Sequence, residues 1–70
     1  MKLKNILDTF DKTQIIFFKD EDGKILANAT VKTIESGNMS NFGITADSEV
    51  SSVMTFDGKV IVEIIKHKQE

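Results

Sequence analysis

A hairpin signal in the last third of this 70-residue chain constrains its fold more than any other feature. Asp57-Gly58 separates two apolar stretches, and an Asp-Gly pair suits a tight β-turn because glycine accepts a positive φ. Five of the eight residues in the stretch 59–66 are Val or Ile, which is typical of a packed strand. The sequence therefore predicts a β-hairpin over residues 50–66.

The register of this hairpin depends on the length of its loop. A two-residue loop pairs Met54 with Ile61 and leaves both faces mixed. A three-residue loop, with Gly58 in a bulge, pairs Met54 with Val60 and separates the faces more cleanly, so we predict the bulged register. Its opposite face stays partly apolar at Val53, Ile61 and Ile65, and this face needs a covering element or a partner. The predicted core face consists of Val50, Ser52, Met54, Val60, Val62 and Ile64.

An amphipathic helix is predicted at the start of the chain. Leu3, Ile6, Leu7 and Phe10 recur at the i, i+3, i+4 and i+7 spacing of one helical face. A helix of about two to three turns does not persist alone, so we expect this one to dock on a sheet. Its polar face carries few cations, which disfavours a membrane surface as the docking site.

Two more strands are predicted in the first half of the chain, over residues 14–19 and 24–29. The Asp-rich segment 20–23 ends in glycine and reads as the turn between them. We predict that Phe18 pairs with Leu26. The first strand holds four consecutive apolar residues without alternation, which indicates an internal strand or one covered on both faces.

The stretch 30–37 is compatible with helix or strand. Thr30 suits a helix N-cap and Gly37 suits a left-handed helix end, whereas the β-branched residues between them favour a strand. We predict a short helix here. The loop after it carries Met39 and Phe42, two large apolar residues that either fold back onto the core or contact a partner.

Together these elements predict an α+β fold. Its N-terminal amphipathic helix packs on a four-stranded, mainly antiparallel sheet of two hairpins, with a short second helix near 30–37. We expect a single domain over 1–66 and a polar tail at 67–70. A chain of this length buries only about 60% of its unfolded surface, so dimerisation would add useful stability.

Neither the composition nor the motifs point to an enzyme. The chain has no cysteine and a single histidine, His67, so thiolate and histidine-cluster metal sites are excluded. The acidic segment 20–22 resembles the start of a calcium loop, but Val31 stands where that loop needs its glutamate. We therefore predict no catalytic residue, no cofactor and no metal site.

The charge pattern disfavours nucleic acid as a partner. The net charge is −2, and the chain has no Arg, Tyr or Trp, whereas base-reading sheets alternate exposed aromatic residues with cations. Single-stranded nucleic-acid binding through the sheet stays the alternative, with Phe17 and Phe18 more readily explained as core residues. No signal peptide and no apolar run near 18 residues is evident, so we expect a cytoplasmic protein without membrane contact.

The order of elements carries a family resemblance. An amphipathic helix precedes an apolar strand with an Asp-Gly turn, a strand ending at Ile34, a variable loop and a Val-Ser-Ser-Val hairpin at 50–53. This order resembles small, mostly uncharacterised proteins of phages, prophages and mobile elements of Gram-positive bacteria. Those proteins often have glycine at the position of Ala29 and a longer helical segment at 37–43. The resemblance implies an α+β sheet fold and a mobile-element setting, and it implies no activity.

The sequence thus favours a non-enzymatic protein-interaction or accessory module. Its partner is an unidentified protein or a second copy of the chain in a homodimer. The candidate contact residues are Met39 and Phe42 in the loop, with Val53 and Ile61 on the second face of the hairpin.

Overall fold

A computed structural model of the chain describes residues 1–65. The polar tail predicted at 67–70, with His67, lies outside the described residues. Within residues 1–65, no helix is long and apolar enough to cross a membrane. The elements in chain order are α1 (Leu3–Leu7), β1 (Ile15–Lys19), β2 (Ile25–Thr30), α2 (Val31–Glu35), a 3-10 turn (Ser40–Phe42), β3 (Val50–Phe56) and β4 (Lys59–Ile64).

The four strands form one mixed sheet in the order β2-β1-β4-β3. Each hairpin is antiparallel, and the two hairpins meet through the parallel pair β1 and β4 at the centre. This arrangement confirms the α+β class, the four strands and the two short helices. The parallel central pair follows from the long connection between the hairpins, because parallel neighbours need a crossover rather than a tight turn.

The hydrophobic core lies on one side of the sheet, where both helices contribute to it. The buried residues of α1 belong to the same cluster as alternate residues of β1 and β4, as predicted for Leu3, Ile6 and Leu7. The helix is shorter than predicted, since Phe10 lies beyond its end and packs half-buried against this cluster. Backbone bonds also hold α1, since the amide of Leu3 donates to Ser48 at 2.9 Å. The core consists of Leu3, Ile6, Leu7, Ile16, Phe18, Val31, Ile34, Met39, Ile44, Val50, Val60, Val62 and Ile64.

The stretch 30–37, for which the sequence allowed a helix or a strand, contains the helix α2. The hydroxyl of Thr30 accepts a hydrogen bond from the amide of Thr33 at 3.2 Å, which is N-cap geometry. Gly37 has a φ of 86°, the left-handed conformation in which helices commonly end. Val31 and Ile34 are buried, so the β-branched residues of this segment serve the core from a helix.

The predicted register of the second hairpin is wrong. Phe56 pairs with Lys59 across a two-residue turn, and Met54 pairs with Ile61 rather than Val60. Both turn residues adopt positive φ, 54° at Asp57 and 76° at Gly58. A turn with positive φ at both central residues matches the right-handed twist of the strands, which explains why the shorter loop is adopted.

The bulge of this hairpin lies at the other end of β3. The register shifts between Val50 and Ser52, so that Ser51 is the extra residue. This shift turns Val50 to the core face, on which Val53 also lies, and leaves Met54 on the opposite face. Because of the extra residue Ser51, Val50 and Val53 both face the core, whereas a two-residue hairpin without a bulge would place them on opposite faces.

The first hairpin also differs from its predicted register by one residue. Phe18 pairs with Ala27 instead of Leu26, and an irregularity next to it pairs Lys19 with Ile25. The turn is fixed by the carboxylate of Asp20, which accepts amide hydrogen bonds from two later residues of the turn. Leu26 is therefore the extra residue of this hairpin.

Candidate functional site

The four predicted contact residues do not form one surface. Met39 is 5% exposed and belongs to the core, whereas Phe42 is 56% exposed. Val53 is half-buried against the core, and Ile61 is half-buried on the opposite side of the sheet. Met39 therefore takes the first of its two predicted outcomes, in which the loop side chain folds back onto the core. The pairing of Val53 with Ile61 on one face was wrong because it depended on the bulged register.

The side of the sheet away from both helices carries a different set of apolar residues. Alternate residues of a strand point to opposite faces, so the residues between the core positions of β1 and β4 point away from the helices. We call this side the open face. Its apolar and charged residues are Ile15, Phe17, Lys19, Ile25, Met54, Phe56, Lys59, Ile61 and Glu63.

The open face concentrates the exposed hydrophobic side chains of the described part of the chain. In residues 1–65, six large hydrophobic residues are strongly exposed, and four of these six lie on the open face. Phe56 is the most exposed at 69%, and the other three are Ile15, Ile25 and Met54. Single exposed hydrophobic residues are common, whereas a group of them on one face indicates an interaction surface.

The strand register joins these side chains into a row. Phe17 on β1 pairs with Ile61 on β4, and Ile61 pairs with Met54 on β3. Neighbouring strands lie about 4.8 Å apart, so the three side chains are adjacent on the face. A continuous apolar row therefore runs over β1, β4 and β3 in the middle of the open face.

The charged residues of the open face have partners within the face. Lys19 Nζ lies 3.7 Å from Glu63 Oε1, and the hydroxyl of Ser51 donates to the other Glu63 oxygen at 2.8 Å. Lys59 Nζ lies 5.9 Å from the centre of the Phe17 ring, within range of a cation–π contact. Because these charges already have partners, a protein that covers the apolar row does not leave them unpaired.

Two shallow hollows lie at the borders of the sheet. One, of about 490 Å³, is lined by Ile15 and Phe17 of the open face together with Asp11 and Thr13. The Asp11 carboxylate accepts hydrogen bonds from the Thr13 amide and hydroxyl, both at 2.8 Å, and these bonds lower the pKa of Asp11. The other hollow, of about 510 Å³, is lined partly by Phe42.

Among residues 1–65, no three His, Cys, Asp or Glu side chains are grouped to hold a metal ion.

A second small electrostatic cluster lies at the start of β3, away from the open face. Glu49 lies 3.4 Å from the amino group of Met1 and 3.6 Å from Lys2 Nζ. The hydrogen bond and the charge of that amino group lower the pKa of Glu49. The cluster holds the first residues of the chain against the sheet, which is a structural role.

Sequence reasoning missed most of the open face. Phe17 was expected in the core with Phe18, but only Phe18 is fully buried. The available signal was the run Ile15-Ile16-Phe17-Phe18, which makes both faces of β1 apolar. Met54 and Phe56 were not predicted on the open face, because the predicted register placed Met54 in the core and Phe56 in the loop.

Comparisons with protein-family models, with curated proteins and with solved structures found no match to this chain. The function is therefore inferred from the surface of the molecule.

Proposed function

We propose that the protein is a non-enzymatic interaction module that binds a protein partner through the open face. The observation that carries this proposal is the concentration of exposed Ile15, Ile25, Met54 and Phe56 on the side that neither helix covers. Protein interfaces have an apolar centre and a polar rim. The row through Phe17 supplies such a centre, and the charged residues of the face lie beside it.

The setting we propose is that of an accessory protein of a phage or mobile element, acting in the cytoplasm. The support is the order of elements in the sequence, from the amphipathic helix to the Val-Ser-Ser-Val hairpin. The partner fitting this surface is a host or phage protein with an exposed apolar patch. An acidic protein of this composition is less suited to a nucleic-acid partner.

Removal of apolar side chains from the open face tests the proposal. The double variant Ile25→Ser with Phe56→Ser should lose the proteins that the native chain captures from cells after photo-crosslinking. Both positions are exposed, and exposed substitutions usually change stability by less than about 0.5 kcal/mol each. The double variant should therefore stay folded, with a melting temperature lowered by no more than roughly 4–8 °C, which separates lost binding from lost folding.

Phe42→Ser is the matched control for this experiment. Phe42 is 56% exposed but lies outside the open face. The control should capture the same proteins as the native chain. Equal capture by the double variant and the control would show that the open face is not the contact surface.

Single-stranded nucleic-acid binding is the second candidate function. The observation in its favour is that Phe17 lies on the open face beside Lys59 rather than in the core. Aromatic rings flanked by cations stack with bases. This candidate ranks second because Glu63 lies on the same face and the net charge is negative.

Fluorescence anisotropy with labelled oligonucleotides tests this candidate. If the chain binds single strands, anisotropy rises at low salt, falls as salt is added, and is lost in Phe17→Leu, which keeps an apolar side chain but removes the ring. An unchanged anisotropy at low salt would eliminate nucleic-acid binding through this face.

A further inference from the structure

The outer edge of β3 is unpaired along most of its length in the described part of the chain. β3 is the last strand of the sheet, with β4 on its inner side. Residues 1–3 run along the outer side of its start, where the amide of Val50 donates to the carbonyl of Met1 at 2.8 Å. Beyond Val50, residues 51–56 have no strand on their outer side among residues 1–65.

The turn geometry determines which backbone groups point outward. Phe56 and Lys59 flank a two-residue turn and therefore exchange hydrogen bonds with each other. Hydrogen-bonded and non-hydrogen-bonded pairs alternate along an antiparallel ladder. Val53 and Thr55 consequently belong to non-hydrogen-bonded pairs, and their N–H and C=O groups point away from β4.

This edge lacks the features that usually protect an exposed strand. Edge strands are commonly blocked by lysine, by proline or by a bulge. β3 reads Val-Ser-Ser-Val-Met-Thr-Phe and has neither charge nor proline. Its bulge lies at Ser51, next to the end that residues 1–3 already cover. Residues 52–56 thus remain a straight, uncharged pairing edge.

We propose that two copies of the chain pair antiparallel along β3, about a twofold axis at Met54. In this register Val53 of each copy faces Thr55 of the other, and their outward groups form four N–H···O=C bonds. A shift of the register in either direction would bring in the bulge at Ser51 or the left-handed Asp57, neither of which continues the ladder. The pairing is isologous and closes as a dimer with an eight-stranded sheet.

The side chains are complementary in this register. The central row of the joined open faces reads Ile61, Met54, then Met54 and Ile61 of the second copy, which makes it wholly apolar. The adjacent row begins at Glu63 in one copy and ends at Lys59 of the other, so the two copies contribute opposite charges. No like charges face each other across the new edge. The dimer is bonded through the strand edge, so it does not depend on the proposed binding at the open face.

Disulfide trapping tests the position of the axis. The chain has no cysteine, so one introduced thiol is unambiguous. In the dimer the two Met54 residues form a non-hydrogen-bonded pair with Cα atoms about 4.5 Å apart, within the range of a disulfide. Met54→Cys should give a covalent dimer under mild oxidation. Thr55→Cys is the matched control and should form the same dimer without a covalent cross-link, because Thr55 faces Val53 of the other copy.

Equal cross-linking of both variants, or of neither, would overturn the proposed pairing.

The mass in solution tests the dimer without cross-linking. Sedimentation equilibrium of the native chain should approach twice 7.8 kDa as concentration rises. Met54→Lys and Met54→Glu should each sediment as single chains, because each places like charges at the axis. An equimolar mixture of the two variants should recover the dimer.

Three results of the mass measurements would also overturn the proposal. A native mass of 7.8 kDa at every concentration would exclude the dimer. A mixture of Met54→Lys and Met54→Glu that stays monomeric while the native chain dimerises would exclude the axis at Met54. Ile25 lies on β2, at the edge of the sheet opposite β3. If Ile25→Ser abolishes the dimer, the two copies associate by stacking their open faces and not by pairing their β3 edges.

Discussion

Met39 and Phe42 form a natural pair for comparison, because these two large apolar residues lie three positions apart in one loop and differ strongly in burial. Met39 is 5% exposed and Phe42 is 56% exposed. Replacing each with alanine removes side-chain atoms from the core in one case and from the surface in the other. Neither change removes a backbone hydrogen bond, since Met39 bonds to Phe42 and Ile44 through its main-chain carbonyl.

The expected loss in free energy of unfolding is about 3 kcal/mol for Met39→Ala. Three buried heavy atoms are removed, and at about 0.8 kcal/mol per methylene the transfer term is about 2.4 kcal/mol. The remaining cavity adds to this term, and measured Met→Ala changes in cores range over about 2–5 kcal/mol. Phe42→Ala should lose less than about 1 kcal/mol, since most of that ring already contacts water.

Thermal and urea unfolding followed by far-UV circular dichroism measure both variants. For a domain of this size, each 1 kcal/mol shifts the melting temperature by roughly 4–8 °C, so Met39→Ala should melt roughly 12–24 °C lower. The total stability expected for 70 residues is roughly 4–10 kcal/mol, so this variant stays near the limit of folding. Equal losses, or a larger loss for Phe42→Ala, would refute the assignment of Met39 to the core.

Three further substitutions test local features of the fold. Gly58→Ala should lower the free energy of unfolding by about 1 kcal/mol in urea titrations, because alanine is strained at a φ of 76° although the space around it is open; no loss would contradict the turn conformation. Thr30→Ala should lower it by about 1 kcal/mol through loss of the N-cap bond, and an unchanged midpoint would exclude that cap. An NMR titration should place the pKa of Asp11 below its usual 3.8, since the Thr13 amide and, secondarily, its hydroxyl favour the carboxylate. Thr13→Ala should move that pKa only part of the way back, and a complete return would assign the effect to the hydroxyl. Because the pKa of the folded state is lowered, Asp11 stabilises the fold above pH 3.8, and this contribution is lost as the pH falls through the folded-state pKa.

Local features of the fold were predictable from short stretches of sequence. The spacing of Leu3, Ile6 and Leu7 identified the face of α1 that enters the core. Thr30 and Gly37 marked the two ends of α2, because capping depends on the residue itself and its immediate neighbours. Such signals act within one helical turn and do not require knowledge of the rest of the chain.

Strand register was not predictable in the same way. The pattern of Val and Ile in β4 correctly indicated that Val60, Val62 and Ile64 share the core face. The position of the bulge at Ser51 instead depends on which side of β3 the core occupies, and this is decided by packing against distant elements. A shift of one residue exchanges the two faces of a strand. The predicted register therefore placed Met54 in the core, whereas this residue lies on the surface.

The open face was hidden for a related reason. The run from Ile15 to Phe18 has no alternation, so it does not indicate which of its residues will contact the helices. That choice follows from the side on which the crossover between the hairpins places α2. The five-residue helices α1 and α2 both pack on the same side of the sheet, so Phe17 and its neighbours on the opposite side are not covered by a helix.

The melting temperature itself distinguishes a second copy from any other partner of these exposed surfaces. A ligand that binds only the folded chain stabilises it by about 2.7 kcal/mol at 100 times its dissociation constant. For this domain that stabilisation corresponds to a rise of roughly 11–22 °C. If β3 edges pair two copies, the melting temperature of the native chain should rise with its own concentration, and that of Met54→Lys should not. If another protein is the only partner, the melting temperature of the purified chain should be independent of concentration and should rise only when that protein is added. A concentration-dependent rise of the same size in Met54→Lys would refute pairing about Met54, because like charges at the axis oppose it.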